Sequence, residues 1–420
     1  MIDIKLIREN PDFVIQAMEK RCEDRSLITE IIDLDNTYRQ LLKEAEVLRA
    51  KRNDVSKQIS KMKDKPADLI AEMRQVGDRI TQIEAESAQV NAKLEDKLLR
   101  LPNLPSPDVP LGGGSEDNVV AREWGKPREF KFTPLPHWEL GEKLGIIDFQ
   151  RGVKLSGTRF YVLRGAGALL QRSLINFMLD LHVKEHGYTE IFPPYMVKRE
   201  CLVGSSNLPK FADNLYHDAE EDYWFIPTAE VPLTNLHRDE ILSPGTLPIN
   251  YVAHTSCFRR EKMAAGKDSR GIKRGHQFEK VEMYKFVEPE TSADELNKLV
   301  HDAEDISQKL DLPYHVLQLC TGDLGFASTM TYDIEMWAPG CQEWLEVSSC
   351  SNCTDFQARR ANIRYRPDPE AKPRLVHTLN GSGMALPRVM ISIMENYQQE
   401  DGSILVPDAL KPYMNIDVIK

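Results

Sequence analysis

The sequence has no apolar stretch long enough to cross a membrane. A spanning helix needs about 20 consecutive apolar residues, and no run in these 420 residues approaches that length. Near the N-terminus, Asp3, Lys5 and Arg8 interrupt the apolar stretch that a signal peptide requires. We therefore expect a cytoplasmic protein with no membrane partner.

Cysteine is also scarce. The chain has seven cysteines in 420 residues, and this odd number at low density argues against a secreted disulfide framework. Cys350 and Cys353 form one Cys-x-x-Cys pair, which would suit zinc, but no second closely spaced Cys or His pair accompanies it. We therefore expect reduced thiols and no zinc.

The two common phosphate-binding motifs are absent as well. The chain has neither a glycine-rich loop ending in Gly-Lys-Ser/Thr nor Gly-x-Gly-x-x-Gly after a strand. A bound nucleotide would therefore be held in another way, and arginines are the candidates. The net charge of -11 gives no overall attraction for nucleic acid, although a local basic face is compatible with it.

Two heptad patterns are present in the first quarter of the chain. The first consists of Leu34, Tyr38, Leu41, Ala45, Leu48, Val55, Ile59 and Met62, interrupted only by Arg52. The second consists of Leu69, Met73, Val76, Ile80, Ile83, Val90, Leu94 and Leu101, with Ser87 and Lys97 at the remaining positions. Pro66 cannot continue the first helix but is tolerated in the opening turn of the second. The pattern predicts an antiparallel coiled-coil hairpin with arms of roughly 45 to 55 Å, which should project into solvent.

Many basic residues fall on this hairpin. They are Lys43, Arg49, Lys51, Arg52, Lys57, Lys61, Lys63, Lys65, Arg74 and Arg79. These side chains could follow a phosphate backbone. The residues alone leave two alternatives open, an ordinary solvated face, since glutamates are interspersed, and a dimer contact.

A proline-rich segment with three consecutive glycines, residues 101–114, separates the hairpin from the rest of the chain. We therefore place a domain boundary here, with a helical domain at 1–103 and a second domain at 104–420. The second domain mixes helical patterns, at 168–185 and 292–310, with strand-like runs at 332–337 and 344–347. This mixture predicts an α+β fold built on an antiparallel sheet flanked by helices.

Three separated polar clusters in the second domain suggest a site. One is a predicted hairpin of two strands around a long loop, with Arg259 and Phe278 on its stems. Such a hairpin could present a guanidinium to a phosphate and an aromatic ring to a planar base, although a solvated arginine-rich loop is the alternative. The other two clusters are Leu345-Glu346-Val347-Ser348-Ser349 and the segment 380–388.

These clusters, together with Pro194 in the run 187–194, resemble motifs one, two and three of class II aminoacyl-tRNA synthetases. The chain is specifically similar to bacterial seryl-tRNA synthetases over nearly its whole length. The resemblance implies a ligase that activates L-serine with ATP to seryl-adenylate and transfers serine to the 3' end of tRNA(Ser). It also implies a homodimer and a hairpin that binds tRNA by its shape, and it leaves tRNA(Sec) open as a second partner.

The resemblance also assigns roles to individual residues. The ATP-binding residues are Arg259, Arg260, Glu261, Phe278, Glu346, Val347, Ser348, Ser349 and Arg388. The serine-binding residues are Thr228, Ala229, Glu230, Glu282 and Ser382. Arg259 and Arg388 act on the phosphates, whereas Glu346 and Ser349 are hard oxygen ligands for magnesium. Glu282 accepts the serine hydroxyl and Glu230 faces the ammonium.

Without the resemblance, these glutamates would be ordinary surface or salt-bridged carboxylates. A synthetase-like enzyme that charges another carrier is one alternative function, and a catalytically silent RNA-binding scaffold is another. The sequence departs from the family at Lys262-Met263-Ala264-Ala265 and at Pro387. Neither departure removes a proposed ligand.

Overall fold

The computed structural model describes residues 1–62, 66–262 and 270–420. Lys63 and Lys65 of the predicted basic face, and Met263-Ala264-Ala265, lie outside the described residues. The chain divides into two compact units, Ile2–Pro102 and Asn103–Lys420, and Met1 groups with the second. Among the described residues, no helix is both long and apolar enough to span a membrane.

The first unit is helical. Its helices are α1 (Ile4–Glu9), α2 (Pro11–Lys20), α3 (Ser26–Lys61) and α4 (Ala67–Arg100). Asp3 caps α1 by accepting a hydrogen bond from the Lys5 amide at 2.9 Å. The 36 residues of α3 and 34 of α4 correspond to lengths of about 54 and 51 Å at 1.5 Å per residue.

The two long helices pack along the predicted heptad seams. Apolar residues of α4 are buried against residues of α3. The contacting residues are Met73, Val76 and Ile80 from α4 with Leu48, Val55 and Ile59 from α3. The antiparallel coiled-coil hairpin is therefore confirmed. One position differs, because α4 ends at Arg100 and Leu101 is extended, so that Leu98 is the last buried apolar residue of the helix.

The second unit is built on an eight-stranded sheet, and the prediction of an α+β fold on an antiparallel sheet is confirmed. The strands of the whole unit, in the large sheet and in smaller ones, are β1 (Val119–Trp124), β2 (Ile147–Asp148), β3 (Val162–Leu163), β4 (Thr189–Glu190), β5 (Met196–Lys198), β6 (Tyr223–Phe225), β7 (Ile241–Leu242), β8 (Ile249–Phe258), β9 (Gln277–Val287), β10 (Tyr314–Gln318), β11 (Met330–Ala338), β12 (Glu343–Thr354), β13 (Arg364–Tyr365), β14 (Arg374–Leu375), β15 (His377–Ala385), β16 (Ile404–Leu405) and β17 (Val418–Ile419). The order in the large sheet is β1-β10-β11-β12-β15-β9-β8-β4. All neighbours are antiparallel except β4 and β8, which are parallel.

Helices accompany this sheet. They are α5 (His137–Lys143), α6 (Phe149–Ser156), α7 (Ala166–Lys184), α8 (Arg199–Gly204), α9 (Glu230–Asn235), α10 (Ser292–Lys309), α11 (Phe356–Ala361), α12 (Leu386–Tyr397) and α13 (Lys411–Met414). The predicted helices at 168–185 and 292–310 correspond to α7 and α10. The predicted strands at 332–337 and 344–347 lie within β11 and β12.

The central strand β9 shows how the sheet separates the core from the site. Successive side chains of a strand point to opposite faces. Val281 and Met283 belong to the main core together with residues of α7, α10 and α12, whereas Tyr284 and Phe286 belong to a second core with residues of α9 and α11. The even-numbered positions of β9 therefore face away from the main core.

Candidate active site

A cavity of about 270 Å³ opens on this second face of the sheet. It is lined by Thr228, Glu230, Arg259, Glu261, Lys273, Arg274, Gly275, Phe278, Lys280, Glu282, Glu346, Val347, Ser349, Asn380, Ser382, Ala385, Pro387 and Arg388. Residues of all three polar clusters, which are far apart in the sequence, thus line the same cavity.

The predicted hairpin supplies one wall of the cavity. β8 and β9 pair antiparallel, with Cys257 opposite Phe278 and Phe258 opposite Gln277. Phe278, Lys280 and Glu282 all line the cavity because they occupy alternate positions of β9. Lys280 was not among the predicted site residues, although its spacing between the other two was a usable signal.

A β-bulge in β12 determines which residues of the second cluster reach the cavity. Glu346 lies opposite Glu335, whereas Ser348 lies opposite Ile334, so Val347 is an extra residue in β12. A bulge reverses the alternation of side chains beyond it. Glu346 and Ser349 therefore share the cavity face, while Ser348 turns away from it.

The third cluster contains a similar bulge. Ser382 lies opposite Glu282 and Met384 lies opposite Val281, so Gly383 is the extra residue of β15. This shift brings Ser382 and Ala385 to the cavity. The two bulges are linked, because the Ser348 hydroxyl donates a hydrogen bond to the Ser382 carbonyl at 2.5 Å.

Glu282 is the most deeply buried carboxylate of the site, with 1% of its surface exposed. Its Oε2 accepts a hydrogen bond from the Thr228 hydroxyl at 2.9 Å and is paired with the Lys280 ammonium. Its Oε1 is buried and has no hydrogen-bond partner among the described residues. A buried acceptor without a partner is costly, so this oxygen is a binding point for a donor from a ligand.

Glu230 is a second acidic group in the cavity. Gln357 donates a hydrogen bond to its Oε1 at 2.5 Å. Burial, followed by repulsion from Glu282, raises the pKa of Glu230 to about 7. A cationic ligand would therefore be needed to keep this carboxylate ionised at lower pH.

The cationic side chains lie among aromatic and acidic neighbours. The Arg259 guanidinium lies 5.2 Å from the centroid of the Phe278 ring, and its Nε donates to the Pro227 carbonyl at 3.2 Å. Arg388 donates to the Glu346 carbonyl at 2.6 Å and lies 3.3 Å from the Glu346 carboxylate. These contacts orient both guanidinium groups, which are suited to phosphate oxygens.

The oxygen atoms near Glu346 fit a divalent cation. The Glu346 side chain is 47% exposed, and it shares the cavity face with Ser349. Behind them, burial and then the Glu346 charge raise the pKa of Asp333 well above its usual value, and Asp333 Oδ1 has no partner within the described ranges. Carboxylate and hydroxyl oxygens are the ligand type that magnesium prefers.

Three predicted site residues do not line the cavity. Ala229 is fully buried immediately before α9. Arg260 places its guanidinium 5.7 Å from the centroid of the Tyr216 ring. Ser348 is directed away by the bulge at Val347. Any role of these three residues in binding serine or ATP stays a prediction.

Seven lining residues had no predicted role of their own. They are Lys273, Arg274, Gly275, Lys280, Asn380, Ala385 and Pro387, and the last three of them lie in the predicted cluster 380–388. Lys273 and Arg274 follow the loop of the hairpin, where no periodic pattern indicates side-chain direction. Pro387, noted as a departure from the family, occupies the first turn of α12, a position that tolerates proline.

The Cys-x-x-Cys pair is buried in β12. Cys350 Sγ lies 3.5 Å from the Ser348 hydroxyl, and Cys353 Sγ donates to the Asn380 side chain at 3.7 Å. Burial raises the pKa of Cys350 to about 12 and that of Cys353 well above its usual value. Burial therefore favours the neutral thiols over the thiolates that bind zinc.

Two family models match the chain. The seryl-tRNA synthetase N-terminal domain matches residues 1–105. The class II core domain of tRNA synthetases for G, H, P, S and T matches residues 211–397. The second match includes every residue of the cavity.

The chain is also similar over its whole length to individual serine--tRNA ligases. It is 62% identical to serine--tRNA ligase of Dehalococcoides mccartyi over 420 residues, which cover all of both chains. Among solved structures, it is similar to seryl-tRNA synthetase from Pyrococcus horikoshii complexed with ATP, with 42% identity, a TM-score of 0.94 and coverage of 100% of this chain and 99% of the other. The cytoplasmic serine-tRNA ligase from Naegleria fowleri in complex with AMP gives 30% identity, a TM-score of 0.88 and the same coverage. The chain therefore belongs to the seryl-tRNA synthetase family of class II synthetases.

Proposed function

We propose that this protein activates L-serine with ATP and transfers the serine to the 3' end of tRNA(Ser). The observation that carries the proposal is a single cavity that combines oriented arginines with a buried carboxylate whose Oε1 has no partner among the described residues. Residues 104–420 perform both chemical steps, and residues 1–103 bind the tRNA. The presence of the whole cavity argues against a catalytically silent scaffold.

The first step is adenylate formation. A carboxylate oxygen of serine attacks the α-phosphorus of ATP, the bond to the bridging oxygen of the β-phosphate breaks, and pyrophosphate leaves. Positioning and charge neutralisation can supply most of the acceleration without a protein nucleophile. Arg259 neutralises the α-phosphate, Arg388 contacts the outer phosphates, and the Phe278 ring stacks on adenine. The tRNA 3' hydroxyl then attacks the serine carbonyl and AMP leaves.

Serine is selected by its polarity and its size. The serine hydroxyl donates to Glu282 Oε1, the acceptor that has no partner among the described residues. Alanine would leave this buried oxygen unpaired. Glu230 faces the ammonium of serine, and Thr228 and Ser382 complete the pocket. A close wall beside the serine hydroxyl would exclude the extra methyl group of threonine by steric clash.

Magnesium forms part of the proposal. Glu346 and Ser349 would hold it beside the phosphates, since both side chains face the cavity. When bound, magnesium supplies charge neutralisation to the phosphates and the leaving pyrophosphate. Zinc has no part in the proposed reaction.

We also propose that the protein acts as a cytoplasmic homodimer. Phe192, in the run that resembles motif one, is 85% exposed, and a large exposed aromatic side chain is typical of a surface that a partner subunit covers. Light scattering of the purified protein tests this state. A monomer at micromolar concentration would contradict it.

The activity is tested by serine-dependent exchange of pyrophosphate into ATP, with threonine, alanine and glycine as controls. Charging of total tRNA, and then of separate tRNA(Ser) and tRNA(Sec), follows. We expect exchange with serine alone and charging of tRNA(Ser). Exchange without charging would indicate another carrier, and no exchange with any amino acid by the folded protein would contradict the enzymatic function.

A further inference from the structure

A buried polar cluster next to the cavity has no role in the steps described so far. It consists of His137 at the start of α5, Cys341 in the turn between β11 and β12, and Glu395 in α12. His137 and Glu395 are 1% and 0% exposed, and Cys341 is half-buried. None of the three lines the cavity.

The Glu395 carboxylate is satisfied entirely by hydrogen-bond donors. Its Oε1 accepts from the His137 amide at 2.9 Å and from the Cys341 thiol at 3.1 Å. Its Oε2 accepts from the amides of Gly340 at 2.8 Å and Cys341 at 2.9 Å. A buried carboxylate requires this degree of compensation.

The His137 ring connects this carboxylate to Ile272, in the segment that joins β8 and β9. Its Nε2 accepts a hydrogen bond from the Ile272 amide at 3.2 Å, so Nε2 carries no proton. Nδ1, which lies 3.0 Å from Glu395 Oε1, is then the protonated nitrogen and donates to the carboxylate. The approach is close, because a Cβ at Gly271 would lie 2.0 Å from His137 Nε2.

The same three side chains could be taken for a metal site, since their ligand atoms lie within 4.8 Å of one another. The hydrogen bonds argue against this alternative. The carboxylate oxygens and Nε2 already accept from amide donors, and burial, followed by Glu395, raises the pKa of the Cys341 thiol well above its usual value. A metal would require the thiolate and would displace several of these bonds.

The cluster joins three segments that each continue into the cavity. Ile272 is followed directly by Lys273, Arg274 and Gly275, which line it. Cys341 lies two residues before β12, which carries Glu346 and Ser349. Glu395 lies in the same helix as Arg388. Lys273 adds a further link, because it pairs with Glu343 of β12 at 2.8 Å.

We infer that His137 and Glu395 are positioning residues for the ATP side of the cavity. The pair fixes the relative positions of three segments: the one around Ile272 between β8 and β9, the start of β12, and α12. The phosphate-binding side chains on these segments are thereby held close together in the cavity. Thr228 and Glu282 of the serine pocket lie in other segments, just before α9 and in the middle of β9. This inference rests on the proposed function.

Pyrophosphate exchange with the full-length variants His137→Ala, His137→Gln and Cys341→Ala tests the inference. For His137→Ala we expect kcat/KM for ATP to fall by about 10²-fold, because misplacement of reacting groups by about 1 Å has an effect of that size. The KM for serine should stay unchanged. His137→Gln should recover part of the loss, because an amide both donates and accepts. Cys341→Ala should resemble the wild type, because the carboxylate keeps its other donors.

Thermal unfolding separates a positioning effect from a folding defect. If His137→Ala fails to fold, His137→Gln provides the test. For this variant we expect an intermediate loss of kcat/KM for ATP and an unchanged KM for serine. Equal changes in the KM for serine and for ATP, or wild-type kinetics in both His137 variants, would overturn the inference. So would stoichiometric metal in the purified protein that is lost in Cys341→Ala. A wild-type protein without serine-dependent exchange would instead contradict the proposed function.

Discussion

The two units of the protein use charged side chains in opposite ways. In the coiled-coil hairpin, ion pairs between α3 and α4 lie on the surface, as in Arg49–Glu84, where the side chains are 48% and 51% exposed and 2.6 Å apart. In the cavity, the paired side chains of Lys280 and Glu282 are 9% and 1% exposed. The same kind of pair is thus surrounded by water in one unit and by protein in the other.

This difference determines what each pair contributes. Exposed pairs typically contribute about 0 to 1 kcal/mol, because water screens the charges and the two side chains lose conformational freedom when they pair. Removing one partner of a buried pair typically costs about 3 to 5 kcal/mol, because the other charge stays buried without compensation. Removing a charge should therefore change the stability of the coiled-coil hairpin little, whereas removing Lys280 or Glu282 should strongly destabilise the cavity.

The largest effect is expected for Glu282→Gln. The change removes the charge that faces Lys280 and replaces the carboxylate acceptor of the serine hydroxyl by an amide, so kcat/KM for serine should fall by about 10³-fold, which corresponds to about 4 kcal/mol of lost transition-state stabilisation. Steady-state pyrophosphate exchange measures it. Glu279→Gln is the matched control, because Glu279 lies on the other face of β9, bonded to His254 and Ser256. Similar kinetics for the two variants would contradict the assignment.

The next largest effect is the difference in kcat/KM for ATP between variants of two adjacent arginines. Arg259 lines the cavity and Arg260 does not. Arg259→Ala should lower kcat/KM for ATP by about 10²-fold, the typical effect of removing one group that stabilises charge in the transition state. Arg260→Ala should have little effect. A large loss in Arg260→Ala would show that the ATP site extends beyond the cavity.

The pH dependence of serine binding tests Glu230. Its pKa is raised to about 7 by burial and then by Glu282. Below this pH the carboxyl group is protonated and no longer attracts the ammonium of serine, so the KM for serine should rise about tenfold per pH unit below 7 and level off above it. Glu230→Gln should have a high KM that does not change over this range. A flat profile in the wild type would contradict the role of Glu230.

The smallest effect is expected in the hairpin. A double-mutant cycle of Arg49→Ala and Glu84→Ala should give a coupling free energy below about 1 kcal/mol in thermal or urea unfolding. The exposed pairs Lys51–Glu72 and Arg79–Glu44 should behave alike. A coupling of about 3 kcal/mol or more, typical of buried pairs, would remove the contrast between the units.

The hairpin could be predicted from the sequence because its determinants are local and periodic. A heptad pattern specifies both the helix and its buried face, and Pro66 marks the start of the second arm. The error at Leu101 arose because helix ends depend on contacts beyond the pattern. Asn103, two residues later, donates to the Ala327 carbonyl at 2.9 Å, across 224 residues of sequence.

The cavity could be predicted only in part. Family resemblance identified residues such as Thr228, Phe278 and Arg388, which the structure brings together. Simple alternation would have grouped Glu346 with Ser348, and only the bulge at Val347 explains why Ser349 faces the cavity instead. Bulges depend on strand pairing over long distances, and no local pattern reveals them.

The cluster around Glu395 was beyond the reach of the sequence. His137 and Glu395 are 258 residues apart, and neither belongs to a motif that indicates chemistry. Their relation appears only when α5 and α12 are packed together. Lys280, by contrast, was accessible from the spacing of Phe278 and Glu282.

The central claim is that the coiled-coil hairpin binds tRNA and that serine is activated in the cavity. It is tested most directly in a full-length variant with Lys43, Lys57, Lys61 and Arg74 changed to glutamine, all of them exposed and without an ion pair within the described part of the chain. Serine-dependent pyrophosphate exchange should stay unchanged, while the KM for tRNA rises and its salt dependence weakens, by a slope of roughly 0.7 to 0.9 for each lost phosphate contact. Unchanged charging kinetics, or a parallel loss of exchange, would contradict the claim.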